Sequence, residues 1–219
     1  MTVDMLIASL AVRYHGAFCW DSLRGRVDPR TVMRRVAAGL VDELSPRVLC
    51  VAGAPRTHEL RIAAATLDVR GGAVASFETA AWLWGLPGFT LRTIEVTARR
   101  SQHRTSTLAF VHRPVKLLDH HVTIVRGIPV TTLARTMFDL AAVLHPKRTE
   151  RLIDTVCTRS PATLPALHAM LRELAGKGKP GITLMRELLQ ARPVGTKVAA
   201  SGYEARFEEI LADAGITGF

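Results

Sequence analysis

Lysine is scarce in this chain: only Lys116, Lys147, Lys177, Lys179 and Lys197 stand among 29 Lys and Arg residues. Positive charge is therefore arginine charge, and with 19 Asp and Glu the balance is +10. The near-absence of lysine also excludes one common metal-nuclease motif, an acid two residues before a lysine. The residues two places before the five lysines are Pro114, His145, Ala175, Lys177 and Gly195, none of them acidic. Cysteine is sparse as well. Cys19, Cys50 and Cys157 are odd in number and far apart, which predicts small buried or half-buried thiols in a reducing compartment, not a disulfide framework or a zinc site. No apolar run approaches the roughly 18 residues that span a bilayer. The start, Met1-Thr2-Val3-Asp4, puts an acid where a secretory leader needs positive charge. These features predict a soluble cytoplasmic protein with no membrane partner. Gly-x-Ser-x-Gly, a phosphate-binding Gly-Lys-Ser/Thr loop and His-Glu-x-x-His are missing too, so no catalytic residue, metal or cofactor is assigned and the chain is read as a non-enzyme.

Hydrophobic residues make up 48% of the 219 and charged residues 22%, enough apolar material for one large or two small cores. A pI near 10.5 points to a polyanionic partner. Arginine suits phosphate because its planar fork donates two hydrogen bonds at once.

The basic character is concentrated early. Six arginines and two aspartates lie between Arg13 and Arg35. Apolar positions over 4–14 predict a first helix, broken at His15-Gly16. A short helix is expected over about Phe18 to Arg24. Asp28 is a good N-cap and Pro29 a favoured first helical residue, so a third helix starts there, burying Val32, Val36 and Leu40 with Met33 beside them. Its other face carries Arg30, Thr31, Arg34 and Arg35. Leu40–Leu44 and Arg47–Val51 then form a hairpin about Ser45-Pro46. This order is the plan of a winged helix-turn-helix, whose second helix enters the major groove of double-stranded DNA. Arg26, Arg30, Thr31, Arg34, Arg35 and Arg47 are the candidate DNA-binding residues. A solvated surface would also accommodate these arginines.

The middle of the chain predicts an α+β body: a helix capped by Thr57 and running to Val69, a strand at Ala73–Ala75, and a helix capped by Ser76. Strands follow over 93–97, 107–112 and 121–125. The basic stretch Arg99–Arg104 between the first two reads as a solvated hairpin tip, with a second phosphate contact as the alternative. Gly127–Thr132 leads into a helix on which Arg135 and Asp139 lie one turn apart, with further helices over about 148–158, 164–175 and 181–191. Gly176–Gly181 is a glycine-rich basic stretch read as an interhelical loop. The eight histidines read as scattered surface residues, with His120 and His121 on opposite faces of a strand. The fold class is thus α+β: a winged helix-turn-helix over 1–53, a mixed α/β body with a small sheet and a helical C-terminal part over 57–192, and a separate segment over 199–219.

Particular phrases carry a resemblance. Arg34-Arg35-Val36-Ala37-Ala38-Gly39-Leu40 leading into the wing resembles the winged-helix domain of the AbiEi family of antitoxins from type IV toxin–antitoxin systems. Ser76 to Leu86 and Gly127 to Thr136 look like phrases of the domain that follows it there, and the resemblance spans roughly residues 4–190. It implies a transcriptional repressor of its own operon, genetically linked to a nucleotidyltransferase-like toxin, with a homodimer expected on a palindromic site. A second resemblance lies at the end. Ala200–Phe207 and the helix to Gly215 look like the opening of a very-short-patch-repair-endonuclease-like domain, of whose acidic residues only Glu204 is matched before Phe219. The chain looks truncated relative to that family. Three readings follow: a DNA-binding regulator, a catalytically incomplete endonuclease-like protein retaining its DNA-targeting region, and a protein-interaction module.

Overall fold

The computed structural model describes residues 2–98, 105–113, 117–176 and 181–194. The segment expected over 199–219, the stretch Arg99–Arg104, and Lys177–Pro180 of the glycine-rich stretch lie outside the described residues. The chain is mixed α+β, with eight α-helices and two small sheets among the described residues. It divides into two compact units, Met1–Thr132 and Leu133–Phe219, a boundary inside the segment 57–192 expected to form one body.

The first unit opens with α1 (Val3–Val12), where the Thr2 hydroxyl accepts the Met5 N–H as cap. Strand β1 (Ala17–Cys19) and a 3₁₀ turn (Trp20–Ser22) stand where a short helix was expected. The reason is a partner far along the chain. β1 pairs antiparallel with β3 (Val48–Val51), Phe18 opposite Leu49, and β2 (Val41–Glu43) pairs on the other side of β3. The hairpin therefore becomes a three-stranded sheet, order β1-β3-β2. Between β1 and β2 lies α2 (Pro29–Ala37), starting as expected at Asp28, whose carboxylate accepts the Arg30 N–H at 2.8 Å. Strand alternation sends Phe18 and Leu49 to one face, where they pack with Leu6, Ile7, Ala11, Val32 and Val41. Ala17 and Val48 point to the other face and meet Ala64 of α3 (His58–Asp68). Covering both faces welds the first fifty residues to the segment that follows. Asp68 adds a polar anchor, since its carboxylate accepts the hydroxyls of Ser45 in the β2–β3 turn and of Ser106.

The second sheet has the order β6-β5-β4-β8-β7, from β4 (Ala73–Ala75), β5 (Glu95–Ala98), β6 (Phe110–His112), β7 (Val122–Val125) and β8 (Ile128–Thr131). β5 and β6 are parallel, so these two strands do not form the expected hairpin. β8 occupies the stretch read only as a lead-in to a helix. Arg126 and Gly127 both adopt positive φ, 51° and 75°, the backbone of the tight turn that joins β7 to β8. Ser76 stands at the N-cap of α4 (Phe77–Leu83), but its hydroxyl is taken by Thr97. Glu95 supplies the cap instead, accepting the Glu78 N–H at 2.9 Å. His121 is fully buried in a 3₁₀ turn with Nδ1 accepting the Leu118 N–H. That corrects the expectation of a surface histidine on a strand.

The second unit is helical: α5 (Leu133–Ala141), α6 (Pro146–Arg159), α7 (Thr163–Leu174) and α8 (Ile182–Gln190), close to the expected spans. Arg135 donates to Asp139 at 2.8 Å, and both are buried, so the two residues one turn apart form an interior ion pair. Gly181 begins α8 at φ 76°, and a Cβ there would stand 2.7 Å from the Ala142 nitrogen.

Candidate nucleic-acid interface

The six candidate residues divide in two. Arg26, in the turn before α2, and Arg30 and Arg34, one helical turn apart on it, are exposed. No ion pair joins them to any described residue. Thr31 is half-buried, and its carbonyl accepts a hydrogen bond from Arg35. Arg35 is engaged within the fold: its Nε donates to Asp4 of α1 at 2.6 Å and its Nη1 to Thr31, leaving the side chain 20% exposed. Arg47, at the start of β3, donates to Asp21 at 2.6 Å and is 24% exposed. These two guanidinium groups hold the unit together: Arg35 ties α2 to α1, and Arg47 ties the hairpin to the 3₁₀ turn. Their hydrogen bonds hold the carboxyls of Asp4 and Asp21 below the usual carboxylate range.

The hairpin is not cationic. Asp42 and Glu43 lie on β2, Asp42 pairs with Arg56, and the Arg47 charge is met by Asp21. Open positive charge in this region thus lies on α2 and the turn ahead of it, and on Arg13 at the C-terminal end of α1. Sequence reasoning missed the acids that neutralise the flanks, because Asp4 and Arg35 lie 31 positions apart and no local spacing rule connects them.

No family model and no curated protein matches the chain. The site's own geometry therefore carries the reading.

Two other features complete the picture. Met33 and Leu40, the first expected beside the core and the second within it, are 48% and 59% exposed. Leu40 borders a surface groove of about 470 Å³ with Ile7, Ala8, Val41 and Val51. In the second sheet His112 Nε2 lies 3.1 Å from Glu95 Oε1, and its ring stacks on Phe77 at 3.7 Å. An imidazole–carboxylate pair can orient a general base. Here, however, the same carboxylate caps α4, and the neighbouring hydroxyls of Ser76 and Thr97 are buried and bonded to each other. The pair anchors α4 on β5 and presents no exposed nucleophile among the described residues.

The three thiols are free and buried. Burial raises the pKa of Cys157 to about 11, which keeps it protonated at neutral pH and a poor nucleophile.

Proposed function

We propose that the first fifty residues act as a winged helix-turn-helix that binds double-stranded DNA, with α2 as the helix entering the major groove. The observation that carries the reading is the exposed, unpaired set Arg26, Arg30 and Arg34, on a helix whose inward side is fixed by Val32 and by the Arg35–Asp4 pair. The element order α1-β1-turn-α2-β2-β3 and the sheet order β1-β3-β2 support it. On this reading the 3₁₀ turn at Trp20–Ser22 takes the place of the first helix of the pair. Arg30 and Arg34 reach phosphates or the O6/N7 edge of guanine. The acids on β2 keep the wing away from the backbone, so α2 bears most of the contact.

The biological role that fits is an AbiEi-antitoxin-like repressor of its own operon, genetically linked to a nucleotidyltransferase-like toxin and binding as a homodimer where the site is palindromic. The test is fluorescence anisotropy with duplex from upstream of its own gene and with scrambled duplex, over a range of salt. Tighter binding of the native duplex, retained at physiological salt, is the expected result. Arg30→Ala with Arg34→Ala weakens it about 100-fold at an unchanged melting temperature. Equal, steeply salt-dependent binding to both duplexes would reduce the face to nonspecific attraction. The groove beside Leu40 would then favour a protein-interaction module.

A further inference from the structure

The outward side of α2 is not purely cationic. Met33, 48% exposed, stands between Arg30 and Arg34 in the sequence, and exposed Ala37 follows one turn later. Helical spacing sets Met33 and Ala37 in one row and Arg30 and Arg34 in the row beside it. A single exposed apolar side chain needs no explanation on an ordinary surface. This one lies within a patch of unpaired guanidinium groups, where a solvated face gains nothing from a thioether.

The major groove offers two chemistries side by side: the acceptor edge of guanine and the C5 methyl of thymine. We infer that Met33 is a specificity-determining residue that packs on thymine 5-methyl groups while Arg30 and Arg34 engage adjacent guanine edges or phosphates, so that sites with thymine next to guanine are preferred. The inference rests on the DNA-binding reading above and adds to it a ligand group and a residue. Methionine suits the task because its flexible, polarizable side chain adapts to a methyl in more than one register. Each methyl buried against it strengthens binding about four-fold.

The test compares native upstream duplex made with thymidine against the same duplex made with deoxyuridine throughout, which removes only the methyls. Wild-type protein is expected to bind the deoxyuridine duplex about four-fold more weakly for each methyl contacted. Met33→Ala binds both duplexes equally, at about the level of wild type on deoxyuridine, and Met33→Leu keeps the discrimination. Wild-type binding indifferent to deoxyuridine would overturn the role of Met33 while leaving DNA binding intact. A deoxyuridine penalty as large in Met33→Ala as in wild type would also overturn it, by tracing the effect to duplex shape. Failure of wild type to prefer native over scrambled thymidine duplex would instead remove the DNA-reading function itself, and this inference with it.

Discussion

Arginine plays opposite parts at Arg135 and Arg192 of the helical unit and on the outward side of α2 in the first unit. In the helical unit, Arg135 is buried against Asp139, and Arg192 donates to Asp154 at 2.8 Å and to Glu150 at 3.2 Å. Burial alone would lower the pKa of Arg192, but the two carboxylates outweigh it and raise it on balance. On the outward side of α2, Arg30 and Arg34 have no such carboxylate. A guanidinium that has met its counter-charge within the chain holds helices in place. One that has not is available to an anion from outside. Total charge does not distinguish the two cases, since +10 counts both kinds alike.

The comparison breaks most visibly in the interior. Asp139→Ala removes the carboxylate that meets the buried Arg135 guanidinium, which costs about 3–5 kcal/mol. Thermal or denaturant unfolding should register that loss, while DNA affinity measured well below the melting temperature stays unchanged. Reduced affinity at full folding would show that the paired arginines are not purely structural.

Acid sharpens the comparison within the first unit. Asp4 and Asp21 have folded pKa values below their unfolded values. The stability they contribute is therefore fully present above about pH 4 and is lost as pH falls through the lower folded values. Melting temperature should drop over that range, and Asp4→Asn or Asp21→Asn should make the drop shallower. An unchanged slope in both variants would mean that neither pair contributes to folding.

Local rules made much of this legible. Asp28-Pro29 marks the start of α2, Thr57 that of α3, and the four C-terminal helices follow from apolar spacing alone. What stayed hidden depends on partners distant in sequence. β1 contains three residues and takes its strand form from β3, some thirty positions later. β8 carries Pro129, a poor strand former, and is held between β4 and β7 by the fold. The exposed arginine face was legible as composition. Its division into Arg30 and Arg34 on one side and Arg35 and Arg47 on the other was not, because that depends on Asp4 and Asp21. For the same reason Leu40, whose spacing fits the buried stripe of α2, lies beyond the helix and faces the surface groove.

The finest test lies on α2 itself, where Arg34 and Arg35 are neighbours in sequence but differ in partnership. If Arg34 contacts a phosphate, Arg34→Ala removes one released counterion and lowers the slope of log affinity against log salt by about one. Arg35→Ala should leave that slope alone. Its effect belongs to folding, a drop in melting temperature smaller than that of Asp139→Ala, because the Asp4 side of the pair is solvated. Salt titrations of both variants on the same duplex, beside their melting curves, measure the two effects separately. Should Arg35→Ala also flatten the salt dependence, the Asp4 pair must open when DNA binds. Arg35 would then belong to the recognition face along with Arg30 and Arg34, and partnership in the free protein would no longer separate the arginines that hold the fold from those that read its ligand.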